Sequence, residues 1–172
     1  MFDTILLTAD GSENAKRSAV VAGNLAATYD ALLVIVHVAP LFVGLNEITE
    51  GPQARHLPEK VRSDIEALQK QTGGWEKTPF AQVPAPPSAV EFLSSVIADE
   101  AENIVRKQGA GKIDRMINQG DPAAEIIAEA KRRKASLIVM GSRGHGNLKN
   151  LVMGSVSQKV LQLADCPCVI VK

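Results

Sequence analysis

Residues 31–38, ALLVIVHV, constrain the fold more than any other stretch. The run is apolar at successive positions, so a strand there buries both of its faces. Burial on both faces marks a strand inside a parallel sheet that carries helices on either side. Further short strands are read at 4–9, 137–140 and 166–171, and residues 113–118, IDRMIN, alternate apolar and polar as an edge strand does. Between them the apolar period changes to that of a helix. Ala15, Ala19, Ala22 and Ala26 form one small stripe. Residues 89–108 repeat Val90, Leu93, Ile97, Ala101 and Ile104 at three- and four-residue spacing. Ala123, Ile126, Ile127 and Ala130 give a later helix its inner face, and residues 156–164 are amphipathic. Strand and helix therefore alternate, which predicts an α/β, doubly wound parallel sheet with right-handed crossovers.

Residues 40–88 interrupt this alternation. They hold seven of the nine prolines and the Gly73-Gly74 pair. A helix is expected from about Pro58, with Val61, Ile65 and Leu68 on one face, followed by an extended proline-rich stretch. Trp75, the single tryptophan, is expected to pin this insertion to the rest of the chain. With 172 residues the chain reads as one domain, 1–172, carrying a variable insertion at about 40–88.

The bulk charge excludes some partners. Nineteen basic residues balance nineteen acidic ones, which gives no electrostatic case for nucleic acid or an anionic membrane. The one tight basic run, Lys131 to Lys134, ends a predicted helix, where cations complement the dipole. No apolar stretch is long enough to span a membrane, and the first residues lack a basic start and long apolar core. A cytoplasmic location is expected. Cys166 and Cys168 read as strand residues in a reducing compartment, since a C-x-C pair supplies only half of a structural zinc site. His37 lies inside an apolar run and reads as a hydrogen-bonded core histidine.

The chemistry concentrates in residues 141–157, GSRGHGNLKNLVMGSVS. They follow an apolar strand and lead into a helix. Gly141, Gly144 and Gly154 allow close backbone approach and positive φ. Ser155 and Ser157 stand at a helix start, where amides lack partners and the macrodipole is positive. That arrangement suits a phosphate group. The spacing is not Walker A, because Gly111-Lys112 is followed by Ile113. Nor is it the dinucleotide fingerprint, because Gly144-His145-Gly146 leads to Lys149 where glycine is required. What stands is Gly141-x₂-Gly144-x₉-Gly154-Ser155.

This G-x₂-G-x₉-G-[ST] pattern resembles the ATP-binding motif of the universal stress protein family. Further stretches are similar to that family: ILLTADGSE to its first strand and following turn, VIVHV to its second, NQGDPAAEIIAEA to a strand–helix junction, and residues 139–172 throughout. The resemblance implies a five-stranded sheet ordered 3-2-1-4-5, in three α/β/α layers of the adenine nucleotide alpha-hydrolase-like type. In that order the switch point lies between strands one and four, where ligands of such sheets sit. Asp10 ends the first strand and Gly141 ends the fourth.

The resemblance also implies roles. Thr8 and Ala9 lead into Asp10, whose carboxylate would accept ribose hydroxyls. Val38 and Met140 would flank adenine, and Gly120 would lie near the base. Gly141, Ser142 and Gly144 would let backbone approach ribose and phosphates. Gly154, Ser155, Val156 and Ser157 would present N–H and hydroxyl groups to the β- and γ-phosphates. Arg143 and His145 lie in the loop, facing phosphate or water. ATP-binding members commonly carry proline where this chain has Thr8, which alters the pocket floor.

The implied ligand is ATP with Mg²⁺, and the implied action is a stress-response regulatory module driven by binding, with no catalytic residue assigned. The alternatives are a slow ATPase or self-phosphorylating protein using Ser142, Ser155 or Ser157, a cAMP-binding variant, and an interaction module without nucleotide. The last strand, Cys168 to Val171, is apolar on both faces and ends the sheet. An open edge of this kind is a pairing hazard. The resemblance implies a homodimer through that strand, serving an unidentified regulatory protein partner.

Overall fold

The structure, a computed structural model, describes residues 2–39, 42–43, 56–72, 83–84, 86–144 and 153–172. Two compact units emerge, residues 1–38 with 96–172, and residues 39–95.

The larger unit is built on five strands, β1 (Thr4–Thr8), β2 (Leu32–Ala39), β3 (Lys112–Gln119), β4 (Leu137–Gly141) and β5 (Cys168–Val171). Their order is 3-2-1-4-5, in a parallel sheet. In the register Thr8 pairs with Val36, Leu6 with both Val34 and Ile138, and Ile138 with Cys168. Strand side chains alternate between faces, and the two cores follow that alternation. Ile5, Leu7, Leu33, Ile35, Leu137 and Val139 pack on one face beneath α1 (Glu13–Tyr29) and the residues 96–107 of α3 (Pro87–Lys107); the helix between them in sequence, α2, is Glu59–Thr72. Leu6, Val34, Val36, Ile138 and Met140 pack on the other beneath α4 (Pro122–Arg133) and α5 (Ser155–Leu163). Central strands buried on both faces explain why ALLVIVHV carries no polar alternation.

Helix ends follow local chemistry. Ser12 caps α1 by accepting the Ala15 N–H at 3.2 Å, and Asp30 closes it in the left-handed conformation. Asp121 caps α4 through the Ala124 N–H at 2.8 Å, with Pro122 in the first turn. Gly109, at φ +93°, ends α3. At Gly23 an added Cβ would stand 2.8 Å from the Gln108 Cβ, so glycine there lets α1 lie against the end of α3. The basic run ending α4 is anchored: Arg132 and Arg133 both donate to buried Glu129, holding its carboxyl below the usual range, and Arg133 also reaches Asp114 of β3. Arg115 of β3 pairs with Asp99 and Glu102 of α3.

The second unit contains α2, the first turns of α3, and an antiparallel pair between residues Phe42–Val43 and Val83–Pro84. Val61 and Ile65 of α2 bury against Ala89, with Leu68 and Phe92 beside them. The Ser88 hydroxyl donates to Asp64 at 2.6 Å. The helix from Pro58 was expected; the strand pair was not, because two-residue strands leave no periodicity to read. Trp75 and His145 lie outside the described residues.

Candidate functional site

The largest of the described cavities, about 410 Å³, opens at the carboxyl ends of β1 and β4. That is the switch point of the 3-2-1-4-5 order. Its two ends differ chemically. At one end the sheet presents Thr8, Val36, Val38 and Met140 on a single face, and Pro122 and Ile126 of α4 close over them. At the other end stand Asp10, Arg143, Gly144, Gly154, Ser155, Val156 and Ser157, with Ala9, Ala15 and Gly141 between.

Asp10 is held by the turn into α1. One carboxylate oxygen accepts the Ser12 N–H at 2.9 Å. The other faces Gly144 so closely that a Cβ at 144 would collide with it. Gly141 is needed for a similar reason, since an added Cβ would meet the α1 backbone at Asn14 and Ala15 at 3.0 Å. None of Gly141, Gly144 and Gly154 adopts the positive φ that glycine allows; among the described glycines that conformation belongs to 11, 109 and 120. Close approach, not unusual backbone, explains the first two. Gly154 is different: its φ is −76°, and a Cβ would make only ordinary contacts at 3.5 Å.

Gly154 is the N-cap of α5, and no side chain caps that helix. Among the described residues no side chain caps the first-turn amides of Ser155, Val156 and Ser157, and all three residues line the cavity. The loop is held from behind. The Ser142 carbonyl accepts the Gly154 N–H at 2.7 Å and the Ser157 hydroxyl at 2.9 Å. The Ser142 N–H donates to the Val171 carbonyl of β5 at 2.6 Å. The Arg143 carbonyl accepts from the Ser12 hydroxyl at 3.3 Å and from Asn14 Nδ2 at 3.4 Å.

Two expected positions stand outside the wall. Ser142 is buried, 1% exposed, and braces the loop from inside with its hydroxyl accepting from Asn14 Nδ2. Gly120, at φ +152°, packs against Glu125 and is not among the lining residues. The Ser157 hydroxyl proton is committed inward, so Ser155 carries the exposed hydroxyl of that turn. Val36, Pro122, Ile126 and Ala15 were missed. Val36 was legible, because it lies two residues before Val38 on the same pleat. Pro122 and Ile126 are spaced i, i+4 on α4, but only tertiary structure brings that helix over β1.

His37 supports this region from the sheet. It is buried, and its Nδ1 donates to the Ala9 carbonyl at 2.8 Å; burial holds its pKa below the ordinary 6.5. Both cysteines are free and half-buried, and burial raises both thiol pKa values. Among the described residues no cluster of three His, Cys, Asp or Glu side chains is placed to hold a metal, and no helix is long and apolar enough to cross a membrane.

Fold and cavity together define a doubly wound α/β protein with its largest described cavity at the sheet's switch point. The model of the universal stress protein family matches residues 1–172. A universal stress protein of Thermus aquaticus is 34% identical over 176 residues, covering 100% of both chains. The solved universal stress protein UspA from Lactobacillus plantarum superposes with a TM-score of 0.69 at 18% identity, covering 99% of this chain and 98% of that one. A universal stress protein solved in complex with cAMP superposes at 0.62 with 22% identity, covering 99% and 97%. The chain belongs to the universal stress protein family.

Proposed function

We propose that this protein binds an adenine nucleotide, ATP by preference, in the switch-point cavity and acts as a stress-response regulatory module through that binding. The observation that carries the reading is the uncapped start of α5 at one end of a cavity whose other end is apolar. An uncapped helix N-terminus offers amides and positive dipole to phosphate. An apolar slot between Val38, Met140 and Ile126 suits a planar base. Asp10, between the two, accepts ribose hydroxyls, and Arg143 adds the positive side chain of the wall. Gly154 fits the same reading, since neither its φ nor its packing demands glycine while a larger residue would project beside the phosphates. Magnesium enters with the triphosphate and is held chiefly by phosphate oxygens.

cAMP is the second reading, favoured by the structural neighbour bearing it. It uses the apolar slot and Asp10 but fewer of the α5 amides. We also propose that the β5 edge pairs with β5 of a second copy, since the sheet order leaves Cys168–Val171 at an edge and an uncovered edge invites pairing.

The test is to denature the purified protein, identify released nucleotide by chromatography, and measure thermal stability against ATP·Mg²⁺ and cAMP. A ligand-dependent rise in Tm that grows with concentration supports the reading. A Tm unmoved by millimolar ATP, ADP, AMP and cAMP overturns it. Light scattering at micromolar concentration decides the dimer, which a monomer mass refutes.

A further inference from the structure

The apolar end of the cavity contains one polar side chain. Thr8 lies on the same sheet face as Val36 and Met140, paired in register with Val36, and lines the cavity while half-buried. Its neighbours there, Val36, Val38, Met140, Pro122 and Ile126, offer no side-chain hydrogen bond. The Ala9 backbone beside it is already engaged: the Ala9 N–H donates to the Val36 carbonyl at 2.9 Å, and the Ala9 carbonyl accepts from His37 at 2.8 Å. Among the described residues the Thr8 hydroxyl has no hydrogen-bond partner. Lining the cavity, that hydroxyl is placed to meet the polar edge of a ligand.

We propose that Thr8 is a specificity-determining residue of the site, its hydroxyl hydrogen-bonding the polar edge of the nucleotide base. The inference rests on the nucleotide reading above and adds which group meets the base. A planar base that fills the apolar slot loses water from its ring nitrogens and exocyclic group. Thr8 is the side chain there able to replace it. A hydroxyl both donates and accepts, so it serves a ring nitrogen or an exocyclic amine by rotation.

The test compares wild type, Thr8→Val and Thr8→Ser by calorimetric titration with ATP, 2′-deoxyATP and inorganic tripolyphosphate. Thr8→Val keeps the β-branched shape and removes the hydroxyl; Thr8→Ser keeps the hydroxyl and removes the methyl group. The expected result is a two- to tenfold weaker affinity of Thr8→Val for ATP, on the order of one hydrogen bond. The same ratio is expected for 2′-deoxyATP, because the base is unchanged. Thr8→Ser is expected near wild type, tripolyphosphate binding is expected to be equal in all three, and the ligand-free Tm of Thr8→Val is expected not to fall. Equal ATP affinity of wild type and Thr8→Val overturns the inference while leaving nucleotide binding intact. So does a penalty that vanishes with 2′-deoxyATP, which assigns the hydroxyl to the ribose. So does an equal loss in Thr8→Ser, which makes the effect one of packing. Absence of ATP binding by wild type overturns the nucleotide reading itself, and this inference with it.

Discussion

The starts of α1 and α5 face the same cavity and are finished in opposite ways. At α1, Ser12 turns its own side chain onto the first-turn amides, and Asp10 accepts the Ser12 N–H. At α5 the cap is Gly154, which has no side chain to offer. Both starts are tied to one short segment, Ser142-Arg143, by hydrogen bonds from Ser12, Asn14, Gly154 and Ser157. One helix is thus closed by the fold, and the other is positioned with equal care but left without a side-chain cap. A helix start that is braced yet uncapped is the arrangement an anionic ligand completes.

If this contrast is right, substitutions at the two starts separate binding from stability. The largest expected effect is Gly154→Val: ATP affinity falls by about 100-fold or more, about 2.7 kcal/mol, while the ligand-free Tm shifts little. Titration calorimetry alongside thermal denaturation reads both; a large Tm loss with retained binding breaks the contrast. Next is Gly141→Ala, where the new methyl group meets α1 backbone at 3.0 Å. Overpacking of this kind costs about 1–3 kcal/mol in denaturant unfolding. Ser12→Ala removes the buried cap of α1 and is expected to cost about 1 kcal/mol of stability, without the affinity loss of Gly154→Val.

The smallest effect is the pH response of His37. Its folded pKa is depressed by burial, so below pH 6.5 the unfolded chain binds the proton more readily. Stability is therefore complete above about 6.5 and declines as pH falls toward the folded value. His37→Asn keeps a donor for the Ala9 carbonyl and is expected to flatten that part of a Tm–pH profile.

How far the sequence carried these features depended on whether their cause was local. The central strands β1, β2 and β4 were legible because both-face burial leaves unbroken apolar runs, and β3 through its apolar–polar alternation. Strand order and switch point came from resemblance to a family, since nothing in the spacing of β1 and β4 states that they are neighbours. Ser142 shows the limit: the resemblance brings its backbone to ribose and phosphates, and only the fold shows that its side chain is buried. Its burial depends on Val171, 29 positions away, which receives its N–H. Gly120 stands outside the lining for the same kind of reason, in the turn into α4 at φ +152°. Of the two uses that glycine allows, Gly141 and Gly144 serve close approach and none of the three loop glycines takes positive φ, because composition does not distinguish the uses.

The small stripe of α1 has one more consequence. Ala15, Ala19, Ala22, Gly23 and Ala26 are the buried face of that helix, apart from Ser18. Such side chains have almost no rotamers to freeze, so docking the helix costs little side-chain entropy. They also leave no rotameric slack. A helix seated this way either keeps its position or leaves as a unit, and Ser12, Asn14 and Ala15 at its start share that stiffness. The Asp10 side of the cavity then forms a fixed wall, set by the seating of α1.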